Sequence, residues 1–240
     1  MKILALDSSA TVASVALCED ERLLAEYTLN NGNTHSETLL PMVESVLGNF
    51  SLTAKDIDLF AASTGPGSFT GVRIGAATVK GLAFSMDKPC VGVSTLEAIA
   101  YNLIGHKGLI CPVMNARRSQ VYTALFRSDG QTLERLMPDS ALSISELDGK
   151  LSEYTEEIML CGDGYGITKD GLKLTHTGIT PERLIHQSAY SVAAVAYTAY
   201  KNGLSVSDSA LKVNYLRPSQ AERELMNKNK ENNKEKEDKQ

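Results

Sequence analysis

Aliphatic and polar residues alternate in short runs at the start of the chain. Lys2 to Asp7 (KILALD), Val12 to Leu17 (VASVAL) and Arg22 to Leu29 (RLLAEYTL) are rich in aliphatic residues, and the links SSAT and CEDE between them are short and polar. This pattern predicts three strands in an antiparallel meander. The period then changes. In THSETLLPMVESVLGNF, Leu39, Val43, Val46, Leu47 and Phe50 recur at helical spacing, and Leu40 and Met42 lie off that stripe, so the apolar surface is broad. Thr34 and Glu37 have capping-box spacing, in which each side chain takes up a free backbone N–H of the other. Pro41 either kinks this helix or marks its true first turn. Asp56 to Thr64 reads as a buried strand, and about Thr70 to Met86 as a helix rich in small residues (Gly71, Gly75, Ala76, Ala77, Gly81, Ala83). PCVGVS is then a strand and TLEAIAYNLI a helix, so the order to this point is β-β-β-α-β-α-β-α.

The second half repeats that order in weaker form. Leu109 to Ala116, Gln120 to Phe126 and Thr132 to Met137 suit a second meander, SISELDGKLSEY a helix, EIMLCGDGY a strand with a turn, and Ser188 to Gly203 a helix ending at the glycine. The β-β-β-α-β-α order appears twice, shortened the second time, and the absence of a short-period repeat argues against a solenoid. The expected division is a first lobe over 1–105, a reduced second lobe over 106–226 and a tail over 227–240. The tail, NKNKENNKEKEDKQ, has no aliphatic or aromatic residue. Such a segment is expected to be disordered, and its interleaved charges suit a solvated tail better than a nucleic-acid arm.

The 240 residues are 42% apolar, enough for a sizeable core, and the formal net charge of -5 makes the chain a poor stand-alone binder of nucleic acid. Cys18, Cys90, Cys111 and Cys161 lie scattered in apolar runs without CxxC spacing, which points to reduced, buried thiols in a cytoplasmic protein. The first strand begins at once, so no leader is expected, and no apolar run has the length of a membrane span. His35, His106, His176 and His186 have no second ligand at i+3 or i+4, no metal site is expected, and no GxSxG elbow occurs.

Two places carry candidate chemistry. Gly65, Gly67 and Gly71, with Ser68 and Thr70, bring free N–H groups to a helix start behind a strand, an anion-binding arrangement. No Lys-Ser/Thr pair follows, so it is not a P-loop, and a tight turn that permits close packing explains it equally. Asp7, with Ser8 and Ser9 behind it, ends the first strand. It can face phosphates through Mg²⁺ or form a turn that satisfies its own backbone.

Seven segments in order, LALDSSATVASVAL, THSETLLPMVESVL, STGPGSFTGVRIGAATVKGLA, VGVSTLEAIA, NARRSQVYTALF, CGDGY and VNYLRPSQAER, resemble the TsaB (YeaZ) family. The resemblance runs from residue 1 to about 225. It implies an α/β ASKHA fold (actin-like ATPase, RNase H-like) of two related lobes. It also implies a role in synthesis of N6-threonylcarbamoyladenosine (t6A) in tRNA, as a partner of a catalytic TsaD-type subunit. In the catalytic relative a helix reads roughly V-N-H-L-E-G-H. Here VSTLEAI places Thr95 and Ile99 where the two histidines stand, so a subunit without catalytic residues is expected. Two helices of the first lobe are the implied contact, through Ser36, Leu39, Leu40, Val43, Val46 and Leu47 on one and Thr70, Arg73, Ile74, Ala77 and Gly81 on the other. The same surface is expected to form a homodimer when the chain is alone. A TsaE-type ATPase is expected to join the pair and tRNA to bind only within the complex. The isolated chain should lack a cofactor, with ATP or ADP entering the assembly near Asp7, Ser8, Ser9, Gly65, Gly67 and Ser68.

Three other readings remain. An ASKHA kinase would use Asp7 and Asp163. A peptidase, the "glycoprotease" label of the wider family, finds neither a zinc pair nor an activated nucleophile. Direct tRNA binding would use Arg73, Arg117 and Arg118.

Overall fold

The computed structural model describes residues 1–178 and 180–217. The expected tail at 227–240 lies outside the described residues, as does the end of the VNYLRPSQAER segment.

Strands β1 (Lys2–Asp7), β2 (Ala13–Glu19) and β3 (Arg22–Leu29) form the antiparallel meander. Helix α1 (His35–Gly48) follows, then β4 (Leu59–Ser63), α2 (Phe69–Met86), β5 (Cys90–Val93) and α3 (Thr95–Tyr101). Strand β4 pairs in parallel with both β1 and β5, so the first sheet runs β3-β2-β1-β4-β5. The second half supplies β6 (Lys107–Asn115), β7 (Gln120–Asp129), β8 (Leu133–Ser143), α4 (Ile144–Leu151), β9 (Ile158–Cys161), α5 (Tyr165–Gly171), β10 (Thr177–Gly178) and α6 (Ala189–Lys201). Its sheet, β10-β9-β6-β7-β8, is the first order over again, with β6 in the place of β1 and β9 in the place of β4. This is the two-lobed α/β ASKHA arrangement, and the second sheet's reduction shows in β10, two residues long.

Local chemistry explains the helix ends. Ser68, Ser94, Ser143 and Ser188 each cap the helix that follows by accepting a backbone N–H. The capping box predicted at Thr34 is absent. The Thr34 hydroxyl contacts Ser36 Oγ at 3.2 Å and makes no cap hydrogen bond, whereas Ser143 and Glu146 do form a full box on α4. Pro41 lies well inside α1, so it does not mark the first turn. The predicted strand from Asp56 shrinks to β4, because Ala54–Asp56 closes a 3₁₀ turn in front of it. Helix α5 and strand β10 went unpredicted, since GYGITKDG has no helical apolar stripe and a two-residue strand has no readable period.

The division at residue 105 does not describe the packing, because the halves exchange helices. Leu96, Ile99, Ala100 and Leu103, from α3 and the turn after it, pack with Ile110, Met114, Ala124 and Phe126 of the second sheet. Helix α6 instead lays Ala189, Val192, Ala193 and Ala196 on Ile3, Ala5 and Ala16 of the first. The chain then stays with the first lobe: Val206 exchanges backbone hydrogen bonds with Cys90, and Asn214 N donates to Thr64 O at 2.7 Å. Each lobe completes the other's core, so among the described residues the division at 105 does not yield two separately packed units.

Candidate functional site

The glycine loop between β4 and α2 is closed by the β1–β2 turn. Ser68 N donates to Ser9 O at 2.6 Å and Ser8 Oγ donates to Gly71 O at 2.8 Å, while Ser68 Oγ accepts from Gly71 N. A Cβ at Gly67 would stand 2.4 Å from Ser9 O, one at Gly71 2.0 Å from Ser8 O, and one at Gly75 2.6 Å from Ser8 Oγ. The glycines are there because the turn lies against the helix where side chains would be. His35 Nε2 holds the same turn from α1, at 2.7 Å from Ala10 O. Ser9 O and Ser68 Oγ therefore take up the Ser68 and Gly71 N–H groups at the front of α2, and close packing against the turn accounts for Gly67, Gly71 and Gly75.

Asp7 is fully buried beneath this turn. Its Oδ1 accepts from Ser9 N at 2.8 Å and Ser9 Oγ at 2.6 Å, and its Oδ2 accepts from Ser63 Oγ. Burial raises its carboxyl above the usual carboxylate value, and those hydrogen bonds and His35 pull the other way. Asp7 is a turn-closing residue, with no face toward a phosphate. Of the six residues expected near a nucleotide, Ser9, Gly67 and Ser68 line an open cleft, whereas Asp7, Ser8 and Gly65 do not.

That cleft, about 600 Å³, runs between the lobes. One wall is Ser9–Thr11 and the start of α2, including Phe69 and Thr70. The other is the end of β6 and its hairpin, Met114 to Arg117, with Tyr122 of β7 and Asp163 after β9. Burial raises the Asp163 carboxyl above its usual range, opposed by a hydrogen bond from Asn115 N and by His186, and reinforced by Asp7. Residues 214–217 close one side as a strap. Tyr215 OH accepts from Arg73 Nε at 2.6 Å, and the Arg73 guanidinium lies 3.7 Å from the Phe69 ring centroid. Arg217 donates to Ala116 O at 2.8 Å and to Gln120 Oε1, tying the strap to the hairpin. Sequence reasoning missed this strap, whose only local signal is Tyr215 with Leu216 between Asn214 and Arg217.

The β6–β7 hairpin has a costly backbone. Arg117, Arg118 and Ser119 follow one another with φ of 62°, 54° and 57°. Left-handed backbone costs an L-residue roughly 1–2 kcal/mol, and a hairpin under no other demand uses Gly or Asn there.

The expected partner contacts divide by burial. Leu39, Val43, Val46 and Leu47 are buried in the first lobe's core against β1, β2 and β4, so they are not a free surface, and that part of the interface is corrected. The breadth of α1's apolar surface reflects its packing on both the sheet and α2. Ser36 and Leu40 of α1 remain exposed. On α2, Thr70, Arg73, Ala77 and Gly81 form an exposed stripe with Ile74 half-buried beside it, and the stripe ends on Phe84, 75% exposed. The sequence reading passed over Phe84, although it continues the i, i+3, i+4 spacing of the stripe. Thr95 and Ile99 are fully buried, Ile99 in the core that α3 shares with the second sheet. Among the described residues no group of three or more His, Cys, Asp or Glu side chains is placed to hold a metal ion, and no helix is long and apolar enough to cross a membrane.

A family model described as "TsaD: tRNA N6-adenosine threonylcarbamoyltransferase" matches residues 22–207. The chain is 36% identical over 169 residues to the tRNA threonylcarbamoyladenosine biosynthesis protein TsaB of Bacillus subtilis (strain 168), covering 70% of this chain and 74% of that protein. It is 29% identical over 231 residues to TsaB of Escherichia coli (strain K12), covering 95% and 100% respectively. The solved structure of YeaZ from Pseudomonas aeruginosa superposes with a TM-score of 0.79 at 25% identity, over 90% of this chain and 99% of that one.

Proposed function

Since this chain belongs to the TsaB (YeaZ) family of tRNA threonylcarbamoyladenosine biosynthesis proteins, we propose that it serves t6A synthesis as a partner subunit without catalytic residues of its own. It pairs with a TsaD-type catalytic subunit through the outer face of α2. The observation that carries this reading is the stripe Thr70, Arg73, Ala77, Gly81 and Phe84. Small side chains along a helix allow a second helix to approach closely, and an exposed phenylalanine at the end supplies an apolar anchor. Leu40 and Ser36 of α1, the helix packed beside α2, are exposed as well. The same face pairs two copies of the chain when the catalytic subunit is missing.

A role without catalysis is supported by the chemistry of Thr95 and Ile99, one a feeble ligand and the other none, and by Asp7, whose carboxyl oxygens are engaged by Ser9 and Ser63. We assign ATP or ADP, the TsaE-type ATPase and the modification of tRNA to the assembled complex, working in the cytoplasm, and no nucleotide to the isolated chain. Support for the last point comes from the start of α2, where backbone and Ser68 groups already take the N–H donors of Ser68 and Gly71.

The test is co-elution with the TsaD-type subunit, followed by t6A synthesis with and without this chain. Ala77→Asp should leave the chain folded, abolish co-elution and stop synthesis. Val43→Asp should unfold it instead, because Val43 is 2% exposed in the core. Wild-type co-elution by folded Ala77→Asp would overturn the assignment of the face.

A further inference from the structure

The geometry points to a binding site for single-stranded RNA on this chain, formed by the Arg117–Arg118 hairpin and the aromatic cleft beside it. The inference rests on the t6A reading, and it adds a place on this subunit where the RNA is held.

Charge distribution is the first support. Elsewhere on the chain Arg22, Arg127 and Arg135 are paired with Glu19, Glu156, and Glu97 with Asp139, whereas among the described residues exposed Arg183 makes no ion pair. Among the described residues Arg117 and Arg217, which line the cleft, make no ion pair, and neither do Arg118 beside Arg117 or Arg73, whose guanidinium packs on the Phe69 ring. In a chain of net charge -5 these cations sit together without carboxylate partners. Asp163, the one carboxyl in the lining, accepts from Asn115 N, and burial raises its carboxyl above the usual range.

The lining is the second. Phe69, Tyr122 and Tyr215 all face the cleft, and Phe69 and Tyr215 stand 4.9 Å apart between ring centroids at a 34° tilt. Aromatic faces beside unpaired guanidinium groups are the chemistry that holds unstacked bases and their phosphates. A volume of about 600 Å³ accommodates a base with its sugar. Duplex RNA cannot present a base edge-on into such a cleft, so the site selects a loop or an end.

The third support is the backbone. Three consecutive left-handed residues, none of them glycine or asparagine, carry Arg117, which lines the cleft, and its neighbour Arg118. A hairpin serving the fold alone gains by having glycine there, so the arginine side chains have a use outside the fold. The carbonyl of Ala116 and the side chain of Gln120 are braced by Arg217, which keeps the hairpin beside the cleft.

The experiment uses the full chain and a fluorescently labelled single-stranded RNA oligonucleotide, titrated by anisotropy over a salt series. Wild type should bind, and binding should weaken with salt. R117Q/R118Q should flatten the slope of log K against log salt by about 1.4, two phosphate contacts at about 0.7 each, and lower affinity at low salt about tenfold or more. Arg22→Gln, remote and exposed, should match wild type. Arg118→Gly should raise the melting temperature yet weaken RNA binding, a pairing of effects that a purely structural hairpin would not give. Unlabelled AMP should fail to displace the oligonucleotide. R117Q/R118Q should still co-elute with the TsaD-type subunit, so the RNA site and the α2 face fail separately. The proposal is overturned if wild type does not bind, if R117Q/R118Q keeps the wild-type slope, if AMP displaces the RNA as well as the oligonucleotide does, or if R117Q/R118Q loses the protein partner.

Discussion

Replacing Gly71 and Gly81 of α2 by alanine, one at a time, should move stability in opposite directions. In a helix interior the intrinsic effect of Gly→Ala is a gain of about 1 kcal/mol, because alanine loses less backbone entropy on folding. At Gly81 a new Cβ meets nothing within 4 Å, so that gain should appear undiminished. At Gly71 the new Cβ would stand 2.0 Å from Ser8 O, about 1.4 Å short of ordinary contact. The obstacle is backbone, held in place by the Ser68 N to Ser9 O and Ser8 Oγ to Gly71 O hydrogen bonds. Overpacking costs about 1–3 kcal/mol, and a pinned backbone neighbour places this case near 3. After the helix gain, Gly71→Ala should be about 2 kcal/mol less stable than wild type. In a chain of this length that lowers the melting temperature by about 4–8 °C, whereas Gly81→Ala should raise it by about 2–4 °C. Urea titration followed by circular dichroism reads both, with unchanged m-values. Shifts of the same sign in the two variants would refute the view that the glycines serve close approach to the β1–β2 turn.

The four cysteines should be inert in the native state. Burial pushes Cys18 and Cys111 up to about 12 and raises Cys90 and Cys161, so a disulfide reagent at neutral pH should react with none until urea exposes all four; fast labelling of folded protein would contradict this. Asp7 and Asp163 both have folded pKa values above those of the unfolded chain. The folded state therefore holds protons that the unfolded state has released, and stability should fall as pH rises from about 4 through the raised values. Asp7→Asn should flatten that fall in urea midpoints measured against pH, and an unaltered profile would show that Asp7 does not carry it. Ser143→Ala should cost about 1 kcal/mol by removing the α4 cap, whereas Thr34→Ala should cost little because Thr34 makes no cap bond; equal losses would reverse the assignment of caps.

Local pattern carried much of the architecture. Short aliphatic runs with polar links marked β1 to β3, helical spacing marked α1, and runs rich in small residues marked α2 and α6. The doubling of β-β-β-α-β-α was visible because both lobes repeat the same local alternations. Periodicity says which residues turn to one side of an element, and it says nothing of what covers that side. Leu39, Val43 and Val46 therefore looked available to a partner, and the sheet beneath α1 covers them.

The sequence by itself determined the elements, most of their order and the family resemblance, since each is written in residues a few positions apart. Only the tertiary structure decided what the glycines and Asp7 are for, because the atoms they meet come from distant segments: Ser8 against Gly71, Ser63 against Asp7. It also decided that α3 and α6 change lobes and that residues 214–217 return across the cleft to Arg73 and Gln120. Contacts between segments far apart in the chain depend on which packing buries the most apolar surface at once, a property of the whole molecule that no short window of sequence contains.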